Sequence, residues 1–233
     1  MPGPLTYFIW LLGILCEAAV VVCALRKRAF GRYVFLNLYM ASLVAVELGR
    51  ARILSEYGNP SVQYTYFYYY SDTLLTILLY FALSSLYAKV FSELKAERYV
   101  RWATLFLLGG TALFTYAVVV QSSEKLVVTQ FAYALSQNLY FVGLVLTYVL
   151  WGAILKLRET RARLVQFVLS LGVYFSLFAA NYAIGNLYPS LNNITGSLAQ
   201  IFGYYLPLAW AYAFWRLPEE VRLVPARLAV IPR

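Results

Sequence analysis

Long apolar runs recur along the chain and are separated by short polar stretches. Seven of them come close to the ~20 residues that an α-helix needs to cross a bilayer. They cover residues 5–25, 33–53, 66–91, 103–121, 131–155, 164–187 and 197–217. The pattern therefore predicts an all-α, polytopic membrane protein, with a seven-helix transmembrane bundle over residues 1–217. A short tail over residues 218–233 contains Pro218, Pro225 and Pro232, which prevent a long helix there.

Lysine and arginine residues lie almost entirely on one side of these predicted spans. Of the 19, all but Arg50, Arg52 and Lys125 fall in segments that share a side. Loops on the cytoplasmic side of membrane proteins carry an excess of Lys and Arg. We therefore expect an outside N-terminus and a cytoplasmic tail, in the inner (cytoplasmic) membrane of a cell. The net charge of +9 is then a topology signal that also attracts anionic lipid headgroups at the cytoplasmic face.

Composition excludes several classes of protein. Hydrophobic residues make up 62% of the chain and charged residues 12%, whereas soluble domains are about half apolar and a quarter charged. An ordinary globular protein and a nucleic-acid-binding domain are therefore excluded. The chain has no histidine, so imidazole cannot bind a metal or haem or act as a catalytic base. We expect no catalytic residues, no metal site and no cofactor, and hence no enzyme.

Strongly polar side chains occur inside five of the predicted spans, in the half nearer the outside. Polar groups in lipid need partners or water, and ionisable ones are costly there. One interpretation is a shared polar chamber that opens outward and binds a ligand or an ion. The other is a set of separate contacts that hold helices together. The residues concerned are Glu47, Arg50, Asp72, Gln137, Asn138, Asn181 and Gln200.

Glu17 is a separate case because it lies near the middle of the first span. It comes twelve residues after Leu5, or ~18 Å along a helix, in a hydrocarbon core ~30 Å thick. The sequence offers no basic residue at that depth. We expect a buried acid that is protonated or hydrogen-bonded to Asn, Tyr or backbone groups.

Several short features together resemble a loose family of bacterial seven-span membrane proteins that has no assigned function. They are the acid Glu17, the basic turn Arg26-Lys-Arg28, Arg50 with Arg52, and the run Tyr66-Phe-Tyr-Tyr-Tyr-Ser-Asp72. The resemblance implies the seven-span fold and implies no chemistry.

The function expected from the sequence is that of an accessory or scaffold subunit in a larger bacterial membrane assembly, with other membrane protein chains as partners. Two alternatives stay open, and both use the polar chamber. One is a small-molecule sensor or receptor, and the other is a proton-coupled transporter in which Glu17 takes part.

Overall fold

The computed structural model describes residues 4–58, 61–92, 97–121, 127–157, 159 and 161–218. These residues form seven α-helices, one for each predicted span. Two 3₁₀ turns, Gly31–Tyr33 and Pro189–Leu191, precede α2 and α7. The helices are α1 Pro4–Arg26, α2 Val34–Tyr57, α3 Val62–Val90, α4 Glu97–Gln121, α5 Val127–Leu157, α6 Ala162–Leu187 and α7 Asn192–Arg216. Apart from Pro218, the predicted tail lies outside the described residues.

Five helices in the described part of the chain are long and apolar enough to cross a membrane. They are α2 with its preceding turn, α3, α4, α5 and α6. The protein is therefore embedded in a membrane. α1 has 23 residues and α7 has 25, which is sufficient length for a crossing. The count of seven crossings and the orientation stay predictions.

Six of the helices form a closed ring. Their order around it is α1, α2, α3, α5, α6 and α7, and α7 packs back against α1. α4 lies outside this ring, against α3 and α5. Consecutive helices run antiparallel, so α1, α3, α5 and α7 all begin at one end. We call this the N-terminal end of the bundle and the other the C-terminal end.

Aromatic side chains from α6 and α7 fill much of the interior. Trp210, Phe167, Phe175 and Phe214 are almost completely buried. Phe175 lies against Gly143 of α5, where an added Cβ would come within 2.4 Å of the Phe175 ring. The absence of a side chain at Gly143 therefore allows α5 and α6 to approach closely.

Arginines hold the C-terminal end together. The guanidinium of Arg163, at the start of α6, donates hydrogen bonds of 2.6 and 3.1 Å to the carbonyl of Leu217, just after α7. Arg161 donates a 3.0 Å hydrogen bond to the carbonyl of Lys89, near the end of α3. Cations at helix C-termini satisfy free carbonyls and oppose the helix dipole. These contacts tie α6 to α3 and to α7.

α1 ends in a Schellman turn that has arginine where glycine is usual. The N–H of Ala29 donates to the carbonyl of Ala24 at 2.9 Å, and the N–H of Arg28 donates to that of Leu25 at 3.0 Å. Arg28 has φ 52°, in the left-handed region. A residue with a Cβ pays about 1–2 kcal/mol in that conformation. The turn fixes the preceding residues at the end of α1.

Candidate functional site

An ion pair on α2 is the centre of the polar groups at the N-terminal end. Arg50 Nη1 donates to Glu47 Oε1 at 2.8 Å. The three-residue spacing puts both side chains on one helix face. They are only 14% and 19% exposed, in that order. The second oxygen of Glu47 accepts a hydrogen bond from the indole N–H of Trp10, which joins α1 to α2.

Arg50 also connects this pair to α3. Its Nη2 donates to the hydroxyl of Ser71 at 3.2 Å, and its guanidinium carbon lies 4.5 Å from the centre of the Tyr68 ring. The neighbouring acid, Asp72, interacts electrostatically with Arg50, and its carboxyl group lies near Ser136 of α5. The guanidinium of Arg50 therefore contacts side chains on α2 and α3, and Asp72 connects this group to α5.

Glu17 of α1 belongs to the same region. Its side chain is 6% exposed and interacts electrostatically with Glu47 and Arg50. Tyr204 of α7 interacts with both Glu17 and Glu47. Within the described residues, Glu17 Oε2 has no hydrogen-bond partner. Depth alone suggested that no basic residue could reach Glu17, but the packing of α1 on α2 brings Arg50 into range. We call Glu17, Glu47, Arg50 and Asp72 the acid–arginine cluster.

The other four predicted chamber residues differ in their surroundings. Asn138 donates a 2.9 Å hydrogen bond to Thr115 of α4, on the outside of the ring. Gln200 is exposed on the surface of α7, and Gln137 is half-buried. Asn181 is half-buried, and its Oδ1 has no hydrogen-bond partner among the described residues. The polar groups of the five spans thus do not all converge.

Sequence reasoning missed a chain of tyrosines that leads inward from the start of α3. Successive ring centres lie 5.6–6.2 Å apart. The chain runs through Tyr69, Tyr133, Tyr182, Tyr140 and Tyr174. The hydroxyl of Tyr174 lies near those of Tyr39 and Tyr140. The sequence contains a signal for this chain, because Tyr133 and Tyr140 are seven residues apart on α5 and so share a helix face.

Asp72 interacts electrostatically with several of these tyrosines. They come from three helices and include Tyr68, Tyr133, Tyr140, Tyr174 and Tyr182. Tyr39 interacts with both Asp72 and Glu17. A set of hydroxyl groups therefore lies within electrostatic range of the two acids, and hydroxyls both donate and accept hydrogen bonds.

No three His, Cys, Asp and Glu side chains within the described residues lie close enough together to hold a metal ion. No family model matches the chain, and searches of curated proteins and of solved structures return no match.

Proposed function

We propose that this chain is a non-enzymatic, proton-coupled carrier of the inner (cytoplasmic) membrane, with the acid–arginine cluster toward the outside. The observation that carries the proposal is the burial of the Glu17 carboxyl group. Its side chain is 6% exposed, and within the described residues one of its carboxyl oxygens has no hydrogen-bond partner. A charged carboxylate in that position costs several kcal/mol, so Glu17 holds a proton while its surroundings stay dry.

The balance of charge supports coupling between this proton and a solute. The cluster contains three carboxyl groups, Glu17, Glu47 and Asp72, and one guanidinium, Arg50. Glu47 takes the direct ion pair. A solute that binds Arg50 or an acid alters the field at Glu17, and by reciprocity the proton on Glu17 alters the affinity for that solute. This mutual dependence is what a coupled carrier requires.

The arrangement of helices supports transport as well. α1–α3 and α5–α7 are two groups of three helices with the same directions, and each group forms one half of the ring, with α4 outside it. Some transporters consist of two such parallel repeats related by an axis along the membrane normal. The arginine contacts at the C-terminal end join α6 to α3 and to α7 on that side. Access from the cytoplasm requires that those contacts open.

Infrared spectroscopy of the reconstituted protein tests the proton on Glu17. We expect a carboxylic acid carbonyl band in the wild type at neutral pH, and its loss in Glu17→Gln. Glu56→Gln is the matched control, since Glu56 lies in an exposed pair with Arg52. A wild-type spectrum without the band, or a band of undiminished intensity in Glu17→Gln, contradicts the proposal.

Proteoliposomes with an internal pH dye test the coupling. A panel of small amines, amino acids and carboxylates is added outside, and at least one is expected to drive internal acidification in the wild type. Glu17→Gln should abolish the response and Glu56→Gln should preserve it. A solute that binds without any proton movement would instead indicate the sensor alternative.

An accessory or scaffold subunit is the second candidate, and the position of α4 favours it. Outside the ring, α4 exposes Phe106, Leu113 and Phe114 at 74%, 73% and 65%. Other membrane protein chains, or lipid, cover such a face. Co-purification in mild detergent should yield partner chains that Phe106→Gln removes and that Leu208→Gln, on exposed α7 surface, retains. A lone monodisperse monomer would count against this candidate.

A further inference from the structure

A second polar site lies at the C-terminal end of the bundle, between α1 and α7. A cavity of about 330 Å³ is lined there by Cys23, Arg26, Lys27 and Trp215. None of these lining residues is acidic. The cavity is therefore positively charged, and it lies at the opposite end of the bundle from the Glu47–Arg50 ion pair.

The local backbone holds the two cations in position. Arg26 is the last residue of α1, and the N–H of Lys27 donates to the carbonyl of Cys23 at 3.0 Å. The left-handed residue Arg28 then turns the chain away. Both side chains are exposed, so a ligand can reach them.

Two electrostatic effects compete in this cavity. α1 and α7 both end here, and each helix C-terminus carries about half a negative charge. Arg26 and Lys27 carry one full positive charge each, closer to the cavity. The cations therefore dominate, and the site favours an anion. A guanidinium matches the geometry of phosphate oxygens, and an ammonium adds a point charge.

The surface beside the cavity is suited to acyl chains. Trp215 is 56% exposed, and Tyr212 and Leu208 follow on the same face of α7 at 54% and 55%. On α1, Ala19 lies four residues before Cys23, and both side chains are small. A cationic end next to an apolar groove fits an amphiphile, and Trp commonly lies at the level of lipid headgroups.

We propose that this cavity binds the phosphate headgroup of an anionic phospholipid, with its acyl chains along the groove between α1 and α7. The volume is at the lower end of the ~300–1,000 Å³ of small-molecule sites, which suits a headgroup. The predicted orientation puts this end in the cytoplasm, where the leaflet is rich in anionic lipid.

Native mass spectrometry of the full chain tests the site, with phosphatidylglycerol and phosphatidylcholine of identical acyl chains as probes. We expect phosphatidylglycerol to bind more tightly. The double variant Arg26→Gln/Lys27→Gln should weaken its binding ~25-fold, or about fivefold for each cation, and leave phosphatidylcholine unchanged. The matched control Arg98→Gln/Lys156→Gln removes two exposed cations from the same end of the bundle.

Three results would overturn the proposal. One is equal binding of the two lipids, and another is the same loss in the control variant. The third is binding of soluble glycerol phosphate as tight as that of phosphatidylglycerol, because the site would then take free phosphate and not a lipid. Thermal unfolding of each variant in detergent verifies that it is folded.

Discussion

Replacing Arg50 by glutamine removes the cation on which the acid–arginine cluster depends. Glu47 loses the partner that lies 2.8 Å from its Oε1, and Ser71 loses a donor at 3.2 Å. Because the Glu47 side chain is only 19% exposed, its charge is then poorly compensated by solvent. We expect Arg50→Gln to destabilise the folded protein.

The magnitude follows from burial. Two unit charges ~4 Å apart attract by about 4 kcal/mol at an effective dielectric constant near 20. Breaking a fully buried pair costs about 3–5 kcal/mol. The Glu47–Arg50 pair is partly exposed, and the new amide can still form hydrogen bonds, so the cost is smaller here. We expect Arg50→Gln to lower the free energy of unfolding by about 2 kcal/mol. In a chain of this length that lowers the Tm by ~4–8 °C.

Arg52→Gln is the matched control on the same helix. Arg52 also pairs with an acid, Glu56, at 2.9 Å, but the two side chains are 80% and 47% exposed. Such pairs contribute little, so its Tm should be unchanged. Thermal unfolding in lipid nanodiscs, followed by near-UV circular dichroism, measures both. Equal decreases would refute the argument from burial. Glu47→Gln/Arg50→Gln should recover part of the loss, because no buried charge then lacks a partner.

Two further substitutions test the packing and the turn by the same assay. Gly143→Ala should lower the Tm by ~2–12 °C, since its Cβ would meet Phe175 at 2.4 Å and overpacking costs about 1–3 kcal/mol. Gly152→Ala, also on α5, meets nothing within 4 Å and should not lower the Tm, so equal losses would contradict the close contact. Arg28→Gly should raise the Tm by ~2–4 °C, because glycine adopts φ 52° without the penalty of about 1 kcal/mol. An unchanged or lower Tm would mean that this turn is not strained.

The order and approximate limits of the helices could be predicted, because apolar runs of bilayer length leave few other structures for the backbone. The observed end of a helix differs from the predicted one where the helix continues past its apolar run. α2 ends at Tyr57 and not at residue 53, and its exposed last turn contains the charged residues Arg52 and Glu56, which lower the hydropathy there. Hydropathy does not detect such a polar extension.

Convergence of the polar side chains could be predicted only within a helix. The spacing of Glu47 and Arg50 suffices to bring them together, whereas depth in the membrane does not fix the rotation of a span. Gln137 and Asn138 have the same depth but point ~100° apart on a helix. As a result Asn138 faces Thr115 of α4, outside the ring.

The position of α4 outside the ring could also not be predicted from hydropathy. α4 has the highest mean hydropathy of the five candidate spans, yet it is the least enclosed by protein. High hydropathy fits both a helix that faces lipid and one that is enclosed by other helices, so it does not distinguish the two positions. The direct packing of α3 on α5 is what shows that α4 lies outside the ring.

Closure of the ring by α1 and α7 has a consequence for biogenesis. α1 receives one of its two ring neighbours last, since Tyr204 reaches the region of Glu17 only after α7 has been made. At ~5–20 residues per second, α1 waits roughly 10–40 s for that neighbour. During this interval Glu17 lacks one of the helices that enclose it in the finished bundle, where it is only 6% exposed. An α1 without α7 therefore leaves an acidic side chain uncovered on one side.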